Sequence, residues 1–224
     1  MAETLASRVS DIQERIDHAA RAAGRTAQDV QAIVVTKFHP ASLVRELHAL
    51  GVRHVGENRH QEAIAKHAQL EDLDLTWHFV GQLQSNKAKA VARYCPVVHS
   101  LDRVSLANAL AAAETPVEVF LEINLTSVPG RGGVEPADLG ALCEHVLGLP
   151  QLVLRGVMAV APVDEEPARA FERVRVYADQ VAAQAPQARA LSIGMSGDFE
   201  EAIAAGATHL RIGAAITGKR PEGA

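Results

Sequence analysis

Apolar and polar positions alternate along this chain in two distinct rhythms. Short continuous apolar runs, such as Ala32-Ile33-Val34-Val35, are each followed by a stretch where apolar residues return every third or fourth position. The first pattern reads as a strand buried on both faces, the second as an amphipathic helix. At the start, Leu5, Val9, Ile12, Ile16, Ala19 and Ala23 lie on one helical face, and Gly24 supplies a stop. This predicts a helix over about 4–23, ahead of the first strand and braced against the body of the protein. Strands are then predicted over 33–37, 54–57, 76–80, 97–100, 117–124, 152–160, 190–195 and 209–212. Helices are predicted over 41–50, 60–69, 86–94, 104–113, 137–147, 167–183 and 199–205, with a short segment over 213–216. Alternating β and α elements imply a parallel sheet with right-handed crossovers. Eight such units in about 200 residues match an α/β fold of the (β/α)8 TIM barrel type with an additional N-terminal helix. A doubly wound open sheet is the alternative, and the two differ in whether the first strand pairs with the last. With no Pro/Ser-rich linker, a single domain over 1–224 is expected, with the barrel over about 32–220.

In such a barrel, chemistry collects where the strands end. Those ends carry Lys37, then Gly56-Glu57-Asn58, His78 with Gly81-Gln82, and His99-Ser100. Asn124-Leu125-Thr126, Met158-Ala159, Gly194-Met195-Ser196-Gly197 and Arg211-Ile212-Gly213 follow. Lys37 has two readings. It is the first exposed residue after the strand, or it is an amine held in an active-site mouth for carbonyl chemistry. Gly194-Met195-Ser196-Gly197-Asp198 fails as a nucleophile elbow, because Asp198 stands in place of the second glycine. It reads either as a plain helix cap by Ser196 or Asp198, or as an anion site at the start of helix 199–205. Arg211 lies in an apolar strand and needs an acceptor, while Gly213 and Ala214 allow close backbone approach. Phosphate groups in barrels often sit on the loops after strands seven and eight, where Ser196, Gly213 and Ala214 fall. Pro129-Gly130-Arg131-Gly132-Gly133 and Gly218-Lys219-Arg220 lack the ending of a P-loop, and the first reads as a mobile loop.

Composition narrows the choices. The chain has 224 residues, 48% of them hydrophobic, and a net charge of -5, which gives no footprint for nucleic acid or an anionic membrane. Lys87, Lys89 and Arg93 form a local basic cluster that reads as a solvated helix face. Cys95 and Cys143 are far apart, so neither a disulfide scaffold nor a zinc ribbon is expected. Ten histidines occur without metal-ligand spacing, and no metal is expected. The opening Met1-Ala2-Glu3-Thr4-Leu5 lacks a signal-peptide core and no run is long enough to span a bilayer, so a cytoplasmic protein is expected.

A lysine after strand one and a phosphate cup after strands seven and eight would lie side by side in a closed barrel. A phosphate ester bearing an aldehyde would satisfy both, and pyridoxal 5′-phosphate is such a ligand. An arginine is one known partner for its ring nitrogen, and Arg211 fits. At this point the chain resembles the pyridoxal-phosphate homeostasis proteins, single-domain relatives of the alanine racemase barrel. The resemblance runs from about Ile33 to Arg220. It rests on Val35-Thr36-Lys37, Gly56-Glu57-Asn58 and the long block Trp77-His78-Phe79-Val80-Gly81-Gln82-Leu83-Gln84-Ser85-Asn86-Lys87. Val98-His99-Ser100-Leu101-Asp102, the block from Gly194 to Ile203 and Arg211-Ile212-Gly213 continue it.

The resemblance implies that Lys37 forms a Schiff base with the cofactor. It implies that Ser196, Gly213 and Ala214 bind phosphate, that Arg211 faces the ring nitrogen, and that Asn58, His78 and Met195 line the pocket. Two departures stand out. Thr126-Ser127-Val128-Pro129-Gly130-Arg131 replaces a loop often rich in Glu and Lys, and Thr217 stands where many members carry an aromatic. The resemblance favours a carrier that binds, buffers and delivers the cofactor to apo-enzymes, without robust catalysis of its own and as a monomer. The alternative is an amino-acid racemase. That reaction needs a second acid/base group on the far face of the cofactor. Tyr94 and Tyr177 fall within predicted helices, and no extra β domain is expected before Ala224. A cysteine or a histidine could serve as the second base on that reading, with His78 one candidate.

Overall fold

The computed structural model describes residues 4–126, 128 and 130–219; Met1 to Glu3, Ser127, Pro129 and Arg220 to Ala224 lie outside them. Each apolar run becomes a strand and each amphipathic stretch a helix. The order begins α1 (Leu5–Ala22), β1 (Gln31–Val35), α2 (Ala41–Ala49), β2 (His54–Glu57), α3 (His60–His67), β3 (Thr76–Phe79), α4 (Ala88–Ala92) and β4 (Val97–Leu101). It continues with α5 (Val104–Ala111), β5 (Val117–Glu122), α6 (Leu139–Leu147), β6 (Leu152–Met158), α7 (Pro167–Gln184), β7 (Ala190–Ser192), α8 (Phe199–Ala204), β8 (His209–Ile212) and α9 (Ala214–Thr217). All neighbouring strands pair in parallel, and β1 pairs β8 with Val34 opposite Ile212, closing the barrel. The open-sheet alternative is thereby excluded.

Two cores follow from strand alternation. Outward residues such as Val34, Val55, Trp77, Val98, Val119, Val157 and Leu210 pack under the helices in the large apolar core. Inside the barrel, Val97, Phe120 and Met158 make a small separate cluster. α1 packs on α8 and α9 and is capped by Thr4, whose hydroxyl accepts from Ser7 N at 3.1 Å. Arg8 ties it to the C-terminal end by donating from Nε to Ile216 O at 2.6 Å.

Several strands end earlier than the apolar runs suggest. β1 stops at Val35, so Lys37 lies in the following turn and not on the strand. β6 stops at Met158 and β7 at Ser192, so Met195 sits in a loop. The predicted helix 86–94 is a 3-10 turn at Ser85–Lys87 followed by α4, which leaves Lys89 and Arg93 on the surface. Apolarity reports burial, whereas strand length is set by how far each neighbour extends in the tilted barrel.

Candidate functional site

The turn after β1 is anchored by side chains beneath it. Thr36 is fully buried: its amide donates to Gly56 O at 2.9 Å, and its hydroxyl donates to Glu57 Oε1 at 2.6 Å. Lys66 of α3 reaches in to donate to Thr36 O at 2.7 Å and to pair with Glu57 Oε1 at 2.5 Å. Burial pushes the Glu57 carboxyl up, and Lys66 and Thr36 oppose that shift. This buried knot presents Lys37, which is exposed, at the C-terminal mouth of the barrel. The next residue, Phe38, adopts φ +68°, a left-handed conformation that a bulky non-glycine residue rarely holds. Its amide donates to Glu62 Oε2 at 3.2 Å, and Arg59 stacks over its ring at 5.2 Å.

Beside the lysine turn, two loops meet over one hydroxyl. Ser196 Oγ accepts from the amides of Gly213 and Ala215, each at 3.3 Å. Asp198 does not use its carboxylate to cap α8; its Oδ1 accepts from Met195 N at 2.6 Å and shapes the loop. Thus Ser196 is drawn away from α8, towards the start of α9. It is the amide of Ala215, and not of Ala214, that points at the hydroxyl. Gly213 lies against β1, since a Cβ there would come within 3.8 Å of Val35 Cβ and Val35 O. The two-loop cup and the lysine turn are therefore neighbours, as barrel closure requires.

Arg211 lies below this cup and is almost fully buried. Its Nη1 donates to Ser192 O at 2.6 Å and Ser192 Oγ at 2.8 Å, and Nη2 donates to Ala159 O at 2.9 Å. Burial lowers its pKa to about 10, with Glu122 and Asp198 opposing, so it stays a cation at neutral pH. Three of the five guanidinium N–H groups are thus engaged. Glu122 ends β5 at the mouth; burial pushes its carboxyl up to about 7, and Asp102 adds to the shift. Its Oε2 has no partner among the described residues, and neither has Asn58 Oδ1.

The remaining expected residues are distributed unevenly. Asn58 is at the mouth, its backbone pressed so close to Gly81 that a Cβ on Gly81 would meet Asn58 O at 2.5 Å. Met195 is partly exposed in the β7–α8 loop. His78 points into the interior and lies deeper than the mouth, hydrogen-bonded to two other histidines. The glycine-rich loop folds back: Val134 bridges Ile123, and Gly132 lies against Gln82 and Glu122, so the described part of this segment lies packed on the mouth. Together, Gln82, Glu122, Asn124, Arg131, Gly132 and Val160 help line a cavity of about 400 Å³ beside it. Sequence reasoning passed over Lys66 and Glu122. An otherwise amphipathic α3 with a lysine on its buried face was the available signal for Lys66.

Comparison with known proteins agrees with this fold. Residues 10–221 match the family model for the alanine racemase N-terminal domain. The chain is 43% identical to the pyridoxal phosphate homeostasis protein of Pseudomonas aeruginosa, over 99% of this chain and 98% of that one. It superposes on PipY of Synechococcus elongatus, solved without PLP, with a TM-score of 0.86 and 38% identity. That match covers 96% of this chain and all of PipY. The PLP-bound form of PipY matches with a TM-score of 0.84 over the same shares. Across nearly its whole length, the chain belongs to the pyridoxal phosphate homeostasis protein family, built on the alanine racemase N-terminal domain.

Proposed function

We propose that this protein binds pyridoxal 5′-phosphate, buffers it and delivers it to apo-enzymes, holding it covalently at Lys37. The observation that carries the reading is the adjacency of three features: an exposed lysine on an anchored turn, a two-loop amide cup, and a buried arginine below. The family names and the PLP-bound PipY structure support it. The residues fit the group chemically. Lys37 Nζ supplies an amine for the aldehyde carbon. Ser196 Oγ and the backbone of Gly213, Ala214 and Ala215 supply donors for the phosphate. Arg211 has guanidinium N–H groups to spare for the ring nitrogen. Asn58 brings a partnerless buried oxygen to the mouth, and Met195 closes one side. His78 acts through other residues and not by contact. When bound, the cofactor supplies an electrophilic carbonyl and a π-system able to withdraw electrons.

The carrier reading is favoured over racemisation by the proton-transfer groups. A racemase needs a second acid/base group facing the lysine across the cofactor. Tyr94 is turned into the helical layer, 3.2 Å from His60 Nδ1, and Tyr177 lies on α7. A permanently cationic Arg211 opposes protonation of the ring nitrogen and so weakens electron withdrawal. The protein acts in the cytoplasm as a monomer; among the described residues no helix is long and apolar enough to cross a membrane.

The test is reduction with borohydride after incubation with pyridoxal 5′-phosphate. One labelled peptide containing Lys37 is expected, and Lys37→Ala should lose it; an undiminished adduct in that variant overturns the assignment. Incubating the loaded protein with L-alanine in deuterated water should give no Cα exchange above the free-cofactor rate. Exchange above that rate restores the racemase reading.

A further inference from the structure

Beneath the mouth, the barrel interior is filled with imidazoles where branched aliphatic side chains are usual. His54 Nδ1 lies 2.9 Å from His78 Nε2, and His78 Nδ1 lies 2.9 Å from His99 Nε2. His99 Nδ1 lies 2.8 Å from Ser192 Oγ, which in turn accepts from Arg211. One hydrogen-bonded line thus runs from β2 through β3, β4 and β7 to β8. At its far end His54 is half-buried and lines a groove with Gln31, Ala32 and Arg53, away from the mouth. His99 is held by stacking on Phe120, with ring centroids 4.4 Å apart and planes 7° from parallel.

The direction of every bond follows by elimination. A guanidinium only donates. Ser192 is fully buried, and its hydroxyl proton has His99 Nδ1 as its remaining partner among the described residues. His99 therefore accepts at Nδ1 and carries its proton on Nε2. That proton goes to His78 Nδ1, and by the same logic His78 donates from Nε2 to His54 Nδ1. All donors point away from Arg211. Burial and nearby positive charge hold His78 and His99 well below the usual histidine pKa, so both stay neutral, as the line requires.

We propose that His54, His78, His99 and Ser192 are positioning residues, a neutral column that holds the Arg211 guanidinium in one orientation from the far side of the barrel. The proposal rests on the cofactor-binding reading above, in which Arg211 faces the ring nitrogen. A proton added at His54 Nδ1 would force each donor to reverse and bring a proton on His99 Nδ1 against Ser192 and the cation. The charge on Arg211 and the polarity of the column therefore sustain each other. Other ionisable groups lie beside the column: His209 of β8, 6.0 Å from His99; Arg155 of β6, whose charge acts on His209 and which pairs with Glu118 of β5 at 3.3 Å; and Glu122 and Asp198, whose charges act on Arg211.

Two measurements test this. In the cofactor-free protein, long-range ¹H–¹⁵N spectra of the imidazoles should show the Nε2–H tautomer for His54, His78 and His99. An Nδ1–H tautomer at any of them overturns the column. In the loaded protein, the cofactor's visible absorption is titrated with pH for wild type, His54→Leu, His78→Leu and His78→Gln. Both leucine variants should move the spectral midpoint upward by about one pH unit, a tenfold change in proton affinity. Gln should restore it, because its amide both accepts and donates. Unchanged midpoints in leucine variants that melt like wild type overturn the proposal. Should His78→Leu fail to fold, His54→Leu decides, since that ring is half-exposed and far from the mouth. A wild type with no cofactor band at all sinks the cofactor reading instead, while the tautomers still judge the column.

Discussion

At the scale of single residues, the candidate site is a lysine on a strained turn beside a hydroxyl shared by two loops. Phe38 at φ +68° costs about 1–3 kcal/mol, a cost offset by the buried anchors of Thr36, Glu57 and Lys66 on one side and Glu62 on the other. Strain of this kind next to the one exposed amine of the turn is what a site with a pre-set nucleophile looks like. Ser196 makes the complementary contribution. Its Oγ already draws the Gly213 and Ala215 amides to one point. A hydrogen bond to a charged phosphate is worth roughly 1.5–3 kcal/mol. Ser196→Ala should therefore weaken pyridoxal phosphate binding by about ten- to a hundred-fold, measured by equilibrium dialysis. Retention equal to wild type would remove Ser196 from the phosphate site. Lys37, Ser196 and Arg211 were legible in the sequence because each is a polar residue interrupting or closing an apolar run. That the Ala215 amide also meets Ser196 Oγ was not, because which amide points inward depends on the pitch of α9.

At the scale of elements, the barrel is held in register by a bulge. Val119 pairs Leu154 but Phe120 pairs Gly156, so β6 carries one extra residue, Arg155, against β5. Gly156 then presses on β7: a Cβ there would lie 1.9 Å from Ala190 O, and its φ is +155°. The bulge realigns β6 so that Met158 joins the inner cluster with Val97 and Phe120. Gly156→Ala should cost at least about 2 kcal/mol, since backbone and not a flexible side chain must yield. Urea unfolding at constant m-value checks this; a midpoint within error of wild type would show that β7 shifts freely. The sequence pattern found all eight strands, yet it overran several ends. In the run 152–160 every position is apolar or small except Arg155, and nothing local marks where pairing with β7 stops.

At the scale of the whole molecule, four imidazoles inside one barrel make stability depend on pH. Burial depresses His54, His78, His99 and His209, the last to about 4. A histidine with a depressed folded pKa binds fewer protons in the fold than in the unfolded chain. Its contribution is therefore fully present above about pH 6.5 and is lost as pH falls towards the folded value. His209 alone accounts for roughly 3 kcal/mol by pH 4. Glu57, Glu122 and Asp198, whose carboxyls burial raises, work in the opposite sense, gaining stability as pH falls through the same range. These four histidines outnumber the three carboxyls, so melting temperature should fall between pH 6.5 and 4. Replacing His209 by Asn should flatten that fall. A melting temperature that rises on acidification would mean the carboxyls dominate.

What the sequence by itself determined is the alternation of strand and helix, the barrel's count of eight, and the polar residues at strand ends. Those follow from local periodicity, which a chain carries whatever its partners. It also carried the family blocks from Trp77 to Lys87 and from Gly194 to Ile203. Closure, in contrast, is a contact between β1 and β8, separated by most of the chain, and only the tertiary structure decided it. The same holds for the histidine column. His54, His78 and His99 sit on three strands with no common spacing, and their places at a strand start and two strand ends do not show that they touch. Strand register and barrel shear turn all three rings to the interior and set them 2.9 Å apart, and neither quantity is written in any one stretch of sequence.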